Sequence, residues 1–445
     1  MTNAIVFITD DQGYGDLSCM GATDFRTPNL DRLADGGARF TNYYSNSPVC
    51  SPARAALLSG RYPAKAGVRS ILAGHRTAAG MPNTVDTIPS VFSKADYFTA
   101  MSGKWHLGLA PGCRPHEHGF DKWFGHMAGC IDFFSHIFYW GAAGGQPITH
   151  DLWQDGEEIW RNGEYMTEMI TDRAIDYIRE ARAADRPFVI YVAYNAPHYP
   201  MHAPQKYMDR FADLPWDRQV MAAMLSAVDD GVGAIMDECE RQGVRDDTLT
   251  VFMSDNGPSR EQRNWLDGNL DPYYGGTTGG LKGHKFSLYE GGIRVPGIIN
   301  WPAKIPAHQV IDEPVAAIDI LPTLGAAMGV STEGLELDGQ SLLPMVTGGP
   351  ALPERSIYFE QGGQVAVRRG RWKLVLKGRL VEADEPNAEV WLSDLSIDRA
   401  ETTNLADSEP AICAELTAAA QAWYADIETR WERDYCPDKQ GTVSA

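Results

Sequence analysis

The clearest buried strand in this sequence is the run Pro187-Phe188-Val189-Ile190-Tyr191-Val192-Ala193-Tyr194. It lacks the polar residue at every second position that marks a strand with one face in water, so we expect both faces to be covered. Strands of that kind are typical of parallel sheets, in which crossover helices pack on both sides. The run leads directly into the polar segment Asn195-Ala196-Pro197-His198.

Three other apolar runs, at 4–9, 97–102 and 248–253, are also followed by polar residues. The segments that follow them are Asp10-Asp11-Gln12-Gly13, Gly103-Lys104-Trp105-His106 and Ser254-Asp255-Asn256-Gly257. Because helical patterns separate the runs, the sequence predicts an α/β fold: a large mixed, mostly parallel sheet sandwiched by helices. Ligands of such sheets bind beyond the carboxyl ends of the strands, so the polar segments are expected to face one crevice.

The last quarter of the chain has a different pattern. A stretch rich in glycine and proline at 347–353 is the best candidate linker. Beyond it, four short strand-like runs with hairpin spacing and a helix at 410–424 predict a small C-terminal antiparallel sheet with one helix. We therefore expect a catalytic α/β domain at 1–346 and a small α+β domain at 354–445.

Composition narrows the possible partners. The 445 residues include 59 acidic and 39 basic side chains, a net charge of −20, which excludes nucleic acid as a partner. The seven cysteines are scattered and form no Cys-x-x-Cys motif, so neither a disulfide framework nor a zinc finger is expected. No apolar run of membrane-spanning length and no leader-like segment was found, so we expect a cytoplasmic protein without a membrane partner, unless a leader has been lost.

The segment Pro48–Gly60 carries the most specific chemistry. Ser51 followed by Pro52 predicts a helix start with a hydroxyl N-cap, and Gly60 predicts its end. Cys50 would then lie just outside a helix N-terminus, where unpaired N–H groups favour negative charge, and Arg54 could reach the same place. This indicates a sulfur nucleophile, or a group made from it, facing an anion. The alternative is an ordinary free cysteine beside a capped helix.

The adjacent carboxylates of Asp10 and Asp11 predict a cation site. Two neighbouring carboxylates at a strand end repel each other, so a hard cation explains them better than an exposed acidic turn. With Asp255 and Asn256 they form an oxygen ligand set that suits Ca²⁺ or Mg²⁺ rather than zinc. His116 and His118 could be proposed as zinc ligands, but we expect a polar loop there.

Six motifs together resemble a known family. They are Asp10-Asp11-Gln12-Gly13, Cys50-Ser51-Pro52-Ala53-Arg54, Gly103 to Gly108, Ala196-Pro197-His198, Ser254 to Gly257 and Tyr289 to Arg294. In order and content they resemble the type I sulfatases, the formylglycine-dependent, arylsulfatase-like enzymes of the alkaline phosphatase superfamily. The resemblance extends into the tail, in Trp391 to Leu395 and Glu401 to Leu405.

The resemblance implies a modified residue and a metal. Cys50 would be oxidised after translation to formylglycine (3-oxoalanine) by a formylglycine-generating enzyme that reads Cys-x-Pro-x-Arg. Ca²⁺, in preference to Mg²⁺, would be held by five residues: Asp10, Asp11, Asp255, Asn256 and formylglycine-50. One hydroxyl of the hydrated aldehyde would attack the sulfur of a sulfate monoester.

The resemblance also implies roles for the charged side chains. Lys104 and Arg54 would hold the diol, and Asp255 would take the nucleophile's proton. His198 and Lys285 would hold a sulfate oxygen and assist the leaving alcohol.

By the same resemblance, His106 would deprotonate the second hydroxyl and so release sulfate. Lys285 is preferred to Lys282 for the anion-binding role because it stands five residues before Glu290, as in the family.

The substrate is expected to be a small sulfated carbohydrate or aryl compound. The stretch from Gly129 to His136 resembles carbohydrate-directed members. Asp132, His136 and His202 are candidates for contacting the alcohol part. The aromatic residues between 120 and 160, Trp140 among them, are expected to be mainly core.

Two other functions remain open at this point. One is a formylglycine-dependent phosphodiesterase or phosphonate monoester hydrolase, whose substrates also place a single negative charge at the reacting centre. The other is a non-catalytic anion or carbohydrate binder with unmodified Cys50. Nothing in the sequence indicates an oligomeric state.

Overall fold

The computed structural model describes residues 1–140, 142, 145, 147–260, 275–382 and 384–436. The strands are β1 Asn3–Thr9, β2 Ala38–Phe40, β3 Tyr43–Tyr44, β4 Phe98–Lys104, β5 Lys122–His126, β6 Ile137–Phe138, β7 Thr149–His150, β8 Trp153–Gln154, β9 Glu157–Glu158, β10 Phe188–Ala193, β11 Thr248–Ser254, β12 Gly297–Asn300, β13 Gln309–Ile311, β14 Val315–Ala316, β15 Ser356–Gln361, β16 Gln364–Arg369, β17 Trp372–Gly378 and β18 Ala388–Asp394. The helices are α1 Pro28–Asp35, α2 Cys50–Ser59, α3 Ile88–Ser93, α4 Met166–Ala183, α5 Gln205–Met208, α6 Trp216–Arg241, α7 Glu290–Ile293, α8 Ile320–Met328, α9 Leu343–Val346 and α10 Pro410–Tyr435.

A ten-stranded sheet forms the centre of the fold, in the order β13-β2-β12-β11-β1-β10-β4-β5-β8-β9. The five strands from β11 to β5 run parallel, and Ile5 of β1 lies between Ile190 of β10 and Thr250 of β11. Strand β12 is antiparallel to both of its neighbours, and β8 and β9 form an antiparallel edge. The predicted large mixed, mostly parallel sheet is confirmed.

Helices cover both faces of this sheet, which explains the uninterrupted apolar runs. Ile5 and Phe7 of β1 pack into a core with α1, α4 and α6, whereas Val6 and Ile8 pack into a second core with α2, α3 and α8. Successive side chains of a strand point to opposite faces, so each residue of β1 meets one of the two cores. Each such buried side chain contributes about 1.5–3 kcal/mol by burial.

Helix α6 departs from the expectation that no segment reaches membrane-spanning length. By length and composition alone it could cross a membrane, but 83% of its apolar window is buried inside the fold. It packs against α1 and α4, so its apolar side chains belong to the core.

The C-terminal part forms the predicted antiparallel sheet, in the order β15-β16-β17-β18, with α10 packed against it. Helix α10 extends to Tyr435, beyond the predicted end at Tyr424, and stacks Trp423 on Tyr358 with ring centroids 5.1 Å apart. The two domain ranges stay a prediction, and residues 437–445 lie outside the described residues.

Candidate active site

The carboxyl ends of four parallel strands meet at one edge of the large sheet. Thr9 of β1 lies beside Ser254 of β11, so the segments that follow these two strands begin side by side. Lys104 is the last residue of β4, and His198 follows β10 after a short turn. The structure therefore brings together all four polar segments that the sequence places after buried strands.

Helix α2 delivers Cys50 to this edge. The helix begins at Cys50 itself and ends at Gly60, which adopts the left-handed conformation with φ 67°. The predicted N-cap at Ser51 is wrong: the cap position is Val49, and the Ser51 hydroxyl accepts a hydrogen bond from the backbone N–H of Leu72 at 3.1 Å. The hydroxyl of a serine in the first turn of a helix can form hydrogen bonds to groups outside the helix. Here its partner lies in a loop further along the chain.

The Cys50 thiol donates a hydrogen bond to Asp10 Oδ1 at 3.3 Å and is 1% exposed. Burial and the neighbouring Asp10 carboxylate raise the pKa of the Cys50 thiol well above its usual value. An unmodified cysteine here stays protonated at neutral pH and is a poor nucleophile, because the thiolate is the reactive form.

Three buried cations neutralise the three buried carboxylates of this edge. Lys104 Nζ lies 2.6 Å from Asp10 Oδ2, and the Arg54 guanidinium donates twice to Asp255 Oδ2, at 3.0 and 2.8 Å. Burial alone would raise the pKa of Asp10, but the positive charges of Lys104 and Arg54 outweigh it and hold that pKa well below its usual value. Asp10 is therefore a carboxylate at neutral pH.

Lys285 and Asp11 form the third ion pair of the site, and His198 lies beside it. Lys285 Nζ lies 2.8 Å from Asp11 Oδ2 and 3.3 Å from His198 Nε2. Burial lowers the pKa of His198. Its Nδ1 lies 2.5 Å from the carbonyl oxygen of Tyr199, so Nδ1 carries the proton and Nε2 accepts from the Lys285 ammonium.

Asp255 is the carboxylate best suited to accept a proton. Burial and the nearby Asp10 carboxylate raise the pKa of Asp255 to about 7, although Arg54 opposes the shift. Its Oδ1 accepts the backbone N–H of Asp11 at 3.1 Å, which fixes Asp11 in the left-handed region with φ 62°. A carboxylate with a pKa near neutrality fits a general base.

The donor set fits a hard cation. Ligand atoms of Asp10, Asp11, Cys50 and His198 all lie within 4.8 Å of one another. Asn256 donates from Nδ2 to Asp11 Oδ1 at 2.7 Å, whereas its buried Oδ1 has no hydrogen-bond partner among the described residues. An orphaned amide oxygen beside two carboxylates is what an oxygen-coordinated cation would use.

The predicted metal ligands thus lie close together, but Asp255 differs from the others in its contacts. Asp10, Asp11 and Cys50 belong to this cluster, while Oδ2 of Asp255 is engaged by Arg54. Among the described residues this is the one group of three or more ionisable or thiol ligands close enough to share an ion, and it does not include His116 or His118.

His106 has the properties of a neutral base. Its Nε2 lies 3.1 Å from the carbonyl oxygen of Leu72, so Nε2 carries the proton, and the buried Nδ1 has no hydrogen-bond partner in the part of the chain described. Burial and the Lys104 ammonium hold the pKa of His106 well below its usual value. Gly129 packs on the ring: a Cβ there would lie 2.6 Å from Cε1 of His106.

Four of these residues form the floor of a cavity of about 950 Å³. Cys50, His106, His198 and Lys285 line its inner end, and the loop at 70–76 forms one wall. Sequence reasoning missed this loop, which carries no motif, and it placed Trp140, another lining residue, in the core.

Lys282 is not among the described lining residues; its Nζ lies over the Trp391 ring, 3.1 Å from the centroid.

The three residues expected to contact the alcohol part are not among the described lining residues. Asp132 accepts the backbone N–H groups of Phe134 and Ser135 and pairs with His202 at 3.2 Å. His136 is buried, with Nε2 3.2 Å from the carbonyl oxygen of Glu164. Their role in substrate binding stays a prediction.

Comparison with known proteins shows which family the chain belongs to. A family model described as Sulfatase matches residues 2–330, and one described as N-sulphoglucosamine sulphohydrolase, C-terminal, matches residues 283–420. Arylsulfatase A of Homo sapiens is 33% identical over 391 residues, which cover 83% of this chain and 74% of that protein. N-acetylgalactosamine-6-sulfatase of Mus musculus is 32% identical, with 83% and 71% covered.

Among solved structures, the crystal structure of Ps i-CgsB in complex with k-i-k-neocarrahexaose is 31% identical, with a TM-score of 0.84 over 95% of this chain and 92% of that one. The sheet, the order of the motifs and the match of the family model over most of the chain lead to one conclusion. The chain belongs to the sulfatase family, the type I sulfatases of the alkaline phosphatase superfamily, and is a sulfuric ester hydrolase.

Proposed function

We propose that this sulfatase hydrolyses the sulfate monoester of a small sulfated carbohydrate or aryl compound through a formylglycine derived from Cys50. Ca²⁺ would be held by Asp10, Asp11, Asp255, Asn256 and residue 50. The observation that carries the proposal is the position of Cys50: it is buried at the floor of a large cavity, beside a carboxylate, and its own thiol is unreactive.

Two groups would supply chemistry that the standard side chains lack. Hydrated formylglycine supplies a nucleophilic hydroxyl, and bound Ca²⁺ stabilises negative charge on the sulfate oxygens.

The chain's own cations make the site attractive to an anion despite the net charge of −20. Arg54, Lys104 and Lys285 are all buried within this one site. Local positive charge in a low-dielectric pocket attracts an anionic ester even when the rest of the surface is acidic.

On the nucleophile side, Asp255 would accept the proton of the attacking hydroxyl, since burial raises the pKa of that carboxyl to about 7. Arg54 orients Asp255 through two hydrogen bonds. Lys104, held by Asp10, would fix the position of residue 50.

On the leaving-group side, Lys285 and His198 would share one proton across their 3.3 Å contact. Burial lowers the pKa of His198, so the proton rests on Lys285 before reaction and can pass to the departing alcohol oxygen directly or through Nε2. At the end of the cycle, the unpartnered Nδ1 of His106 is available to take a proton from residue 50 and so release sulfate.

The test combines intact mass with turnover, using the chain co-expressed with a formylglycine-generating enzyme. We expect the mass to lie about 18 Da below that of the unmodified chain. We also expect turnover of 4-nitrophenyl sulfate or of a monosulfated monosaccharide that EGTA abolishes and Ca²⁺ restores.

A higher kcat/KM for bis(4-nitrophenyl) phosphate would indicate the phosphodiesterase instead. Tight binding of sulfate esters by a fully modified chain, without turnover, would exclude hydrolysis.

A further inference from the structure

The 70–76 loop beside the catalytic floor has no regular secondary structure, and most of its residues are exposed. A segment without the hydrogen-bond pattern of a helix or sheet is held in place by individual contacts. Leu72, near its centre, packs against the core that contains side chains of α2. Both backbone polar groups of Leu72 form hydrogen bonds, and the two partners lie at the active site.

The N–H of Leu72 is bound to helix α2. It donates to Oγ of Ser51 at 3.1 Å, and Ser51 is buried next to Cys50. The acceptor is fixed in position because every residue of α2 is buried. Loss of the acceptor would leave this N–H without its partner, which is unfavourable enough to displace an exposed loop.

The carbonyl oxygen of Leu72 is bound to His106. It accepts a hydrogen bond from Nε2 of the imidazole at 3.1 Å. A neutral imidazole carries one proton, and the hydrogen bond made by one ring nitrogen decides which nitrogen carries it. One residue of the loop therefore connects the first turn of α2 to the protonated nitrogen of His106.

Other contacts fix the place of the His106 ring but not its tautomer. The backbone N–H of His106 donates to the carbonyl oxygen of Met127 at 3.1 Å, and Gly129 packs on the ring. Neither contact is a hydrogen bond to a ring nitrogen, and Nδ1 has no hydrogen-bond partner among the described residues. The Leu72 carbonyl is thus the contact that selects the Nε2–H tautomer.

The Nε2–H tautomer is the one that the release step of the proposed function requires. Nδ1 would take the proton of the free hydroxyl on residue 50, so that the carbonyl of residue 50 forms again. The bond from residue 50 to the sulfate oxygen would break, and sulfate would leave with the electron pair of that bond. The proton would then pass from Nδ1 to solvent. With a proton already on Nδ1, that nitrogen has no lone pair with which to accept another.

We propose that Ser51 is a positioning residue: through the backbone of Leu72 it holds His106 in the Nε2–H tautomer, and it thereby controls sulfate release rather than ester cleavage. Ser51 is not among the described residues that line the cavity, so its effect would pass through Leu72 rather than through the substrate. This inference rests on the proposed function, because it takes His106 to be the base that releases sulfate.

The first test observes the tautomer directly, without turnover, in the chain with unmodified Cys50. Long-range ¹H–¹⁵N correlation spectra of histidine-labelled protein distinguish a protonated ring nitrogen from an unprotonated one, and His106→Gln identifies the signals of His106 by their loss. We expect the Nε2–H tautomer in the native chain and a mixture of tautomers in Ser51→Ala. An unchanged tautomer in Ser51→Ala overturns the proposal.

The second test separates ester cleavage from sulfate release in the modified enzyme. With 4-nitrophenyl sulfate, kcat/KM reports the steps up to loss of 4-nitrophenol, whereas kcat also includes the release of sulfate. We expect Ser51→Ala to lower kcat about tenfold and KM in proportion, so that kcat/KM stays within about twofold. A burst of about one equivalent of 4-nitrophenol per formylglycine should precede the slow steady state. Intact mass gives the formylglycine content, because Ser51 lies within the segment that the maturation enzyme reads.

Two variants serve as controls. Ser51→Thr keeps a hydroxyl acceptor, so it should keep the native tautomer and a kcat within about threefold of the native value. Ser59→Ala removes another buried serine of α2, whose hydroxyl donates within the helix to the carbonyl oxygen of Ala55 at 2.6 Å. It should change neither the tautomer nor the burst.

Equal losses in Ser51→Thr and Ser51→Ala overturn the proposal, because packing rather than the acceptor would then be responsible. So does a parallel fall of kcat and kcat/KM in Ser51→Ala, which would place the effect at or before ester cleavage. If the tautomer changes as expected but the modified native enzyme cleaves no sulfate ester, the proposed function fails while the link from Ser51 to His106 stands.

Discussion

Two buried charge clusters of this molecule contrast with each other. The catalytic cluster consists of Asp10, Asp11, Arg54, Lys104, Asp255 and Lys285. The interface cluster consists of Tyr44, Glu290, Arg294, Arg368, Lys373 and Glu401, and it joins β3 and the segment around α7 to the C-terminal sheet. In the interface cluster, Lys373 lies 2.9 Å from Glu290 and 3.3 Å from Glu401, and Arg294 lies 3.0 Å from Glu290.

Each cluster contains a carboxyl whose pKa burial raises to about 7, Asp255 in one and Glu401 in the other. A shifted pKa therefore does not by itself identify a catalytic residue. What differs is access, since Lys285 and its neighbour Cys50 line the cavity and no member of the interface cluster is among the described lining residues.

The largest expected effect is on turnover. Cys50→Ala should lower kcat by about 10⁴-fold or more, because it removes the group that would become the nucleophile under the proposed function. Its matched control is Cys239→Ala, which truncates another buried cysteine, in α6, and should keep kcat within about threefold. Comparable losses in both variants would contradict a special role for position 50.

Substitutions in the interface cluster should change the stability of the fold rather than turnover. Lys373→Ala leaves Glu290 and Glu401 without their shared cation, and we expect the free energy of unfolding to fall by about 3–5 kcal/mol. Lys377→Ala, an exposed position on the same strand, should change it by less than about 0.5 kcal/mol. Chemical denaturation measures both, and a loss below about 1 kcal/mol in Lys373→Ala would mean that the cluster contributes little.

Gly129→Ala tests whether the catalytic end depends on exact placement. The added Cβ would meet the His106 ring at 2.6 Å, so the ring must shift. We expect kcat to fall about 10- to 100-fold, since misplacement of a catalytic group by about 1 Å has effects of that size. Binding of inorganic sulfate and the unfolding transition should remain, and their joint loss would indicate a folding defect.

The smallest effect concerns pH. Because the pKa of Glu401 is raised to about 7 in the folded state, the stability it contributes is complete below about pH 4.5 and is lost as pH rises through about 7. We expect Glu401 to lower the free energy of unfolding by on the order of 1 kcal/mol over that window. Glu401→Gln should reduce the pH dependence by that amount, and the part that remains is due to other carboxyls with raised pKa values, Asp255 among them. If the free energy of unfolding of the native chain rose between about pH 4.5 and 7, that would contradict the raised pKa of Glu401.

Glu290 should affect the stability of the fold in a different pH range. Burial opposes ionisation, but Lys373 and Arg294 outweigh it and lower the pKa of Glu290 to about 2. Its contribution is present above about pH 4.5 and is lost as pH falls toward about 2. The two glutamates of one cluster should therefore destabilise the fold on opposite sides of pH 4.5.

Much of the fold could be predicted from local sequence. The apolar runs gave the parallel strands β1, β4, β10 and β11, because residues buried on both faces leave no polar alternation. The boundaries of elements were predicted less accurately. Helix α10 continues to Tyr435, whose hydroxyl donates to the carbonyl oxygen of Lys65, so contacts with a segment distant in sequence support the helix beyond its predicted end.

The site could be predicted in its residues but not in its contacts. That polar segments after parallel strands share one edge follows from topology. Which cation meets which carboxylate does not, and neither does the engagement of Asp255 by Arg54. Asp132 and His202 were each predicted to contact the alcohol part of the substrate, and the structure pairs them with each other.

The sequence by itself determined the order of buried strands, the polar segments at their ends and the turn at Gly60, because each depends on residues that are neighbours in the chain. The tertiary structure alone decided that Ser51 bonds to Leu72, that Gly129 packs on His106 and that Trp140 lines the cavity beside His198. These contacts join residues far apart in sequence, so they are fixed by packing between elements and leave no pattern in any one of them.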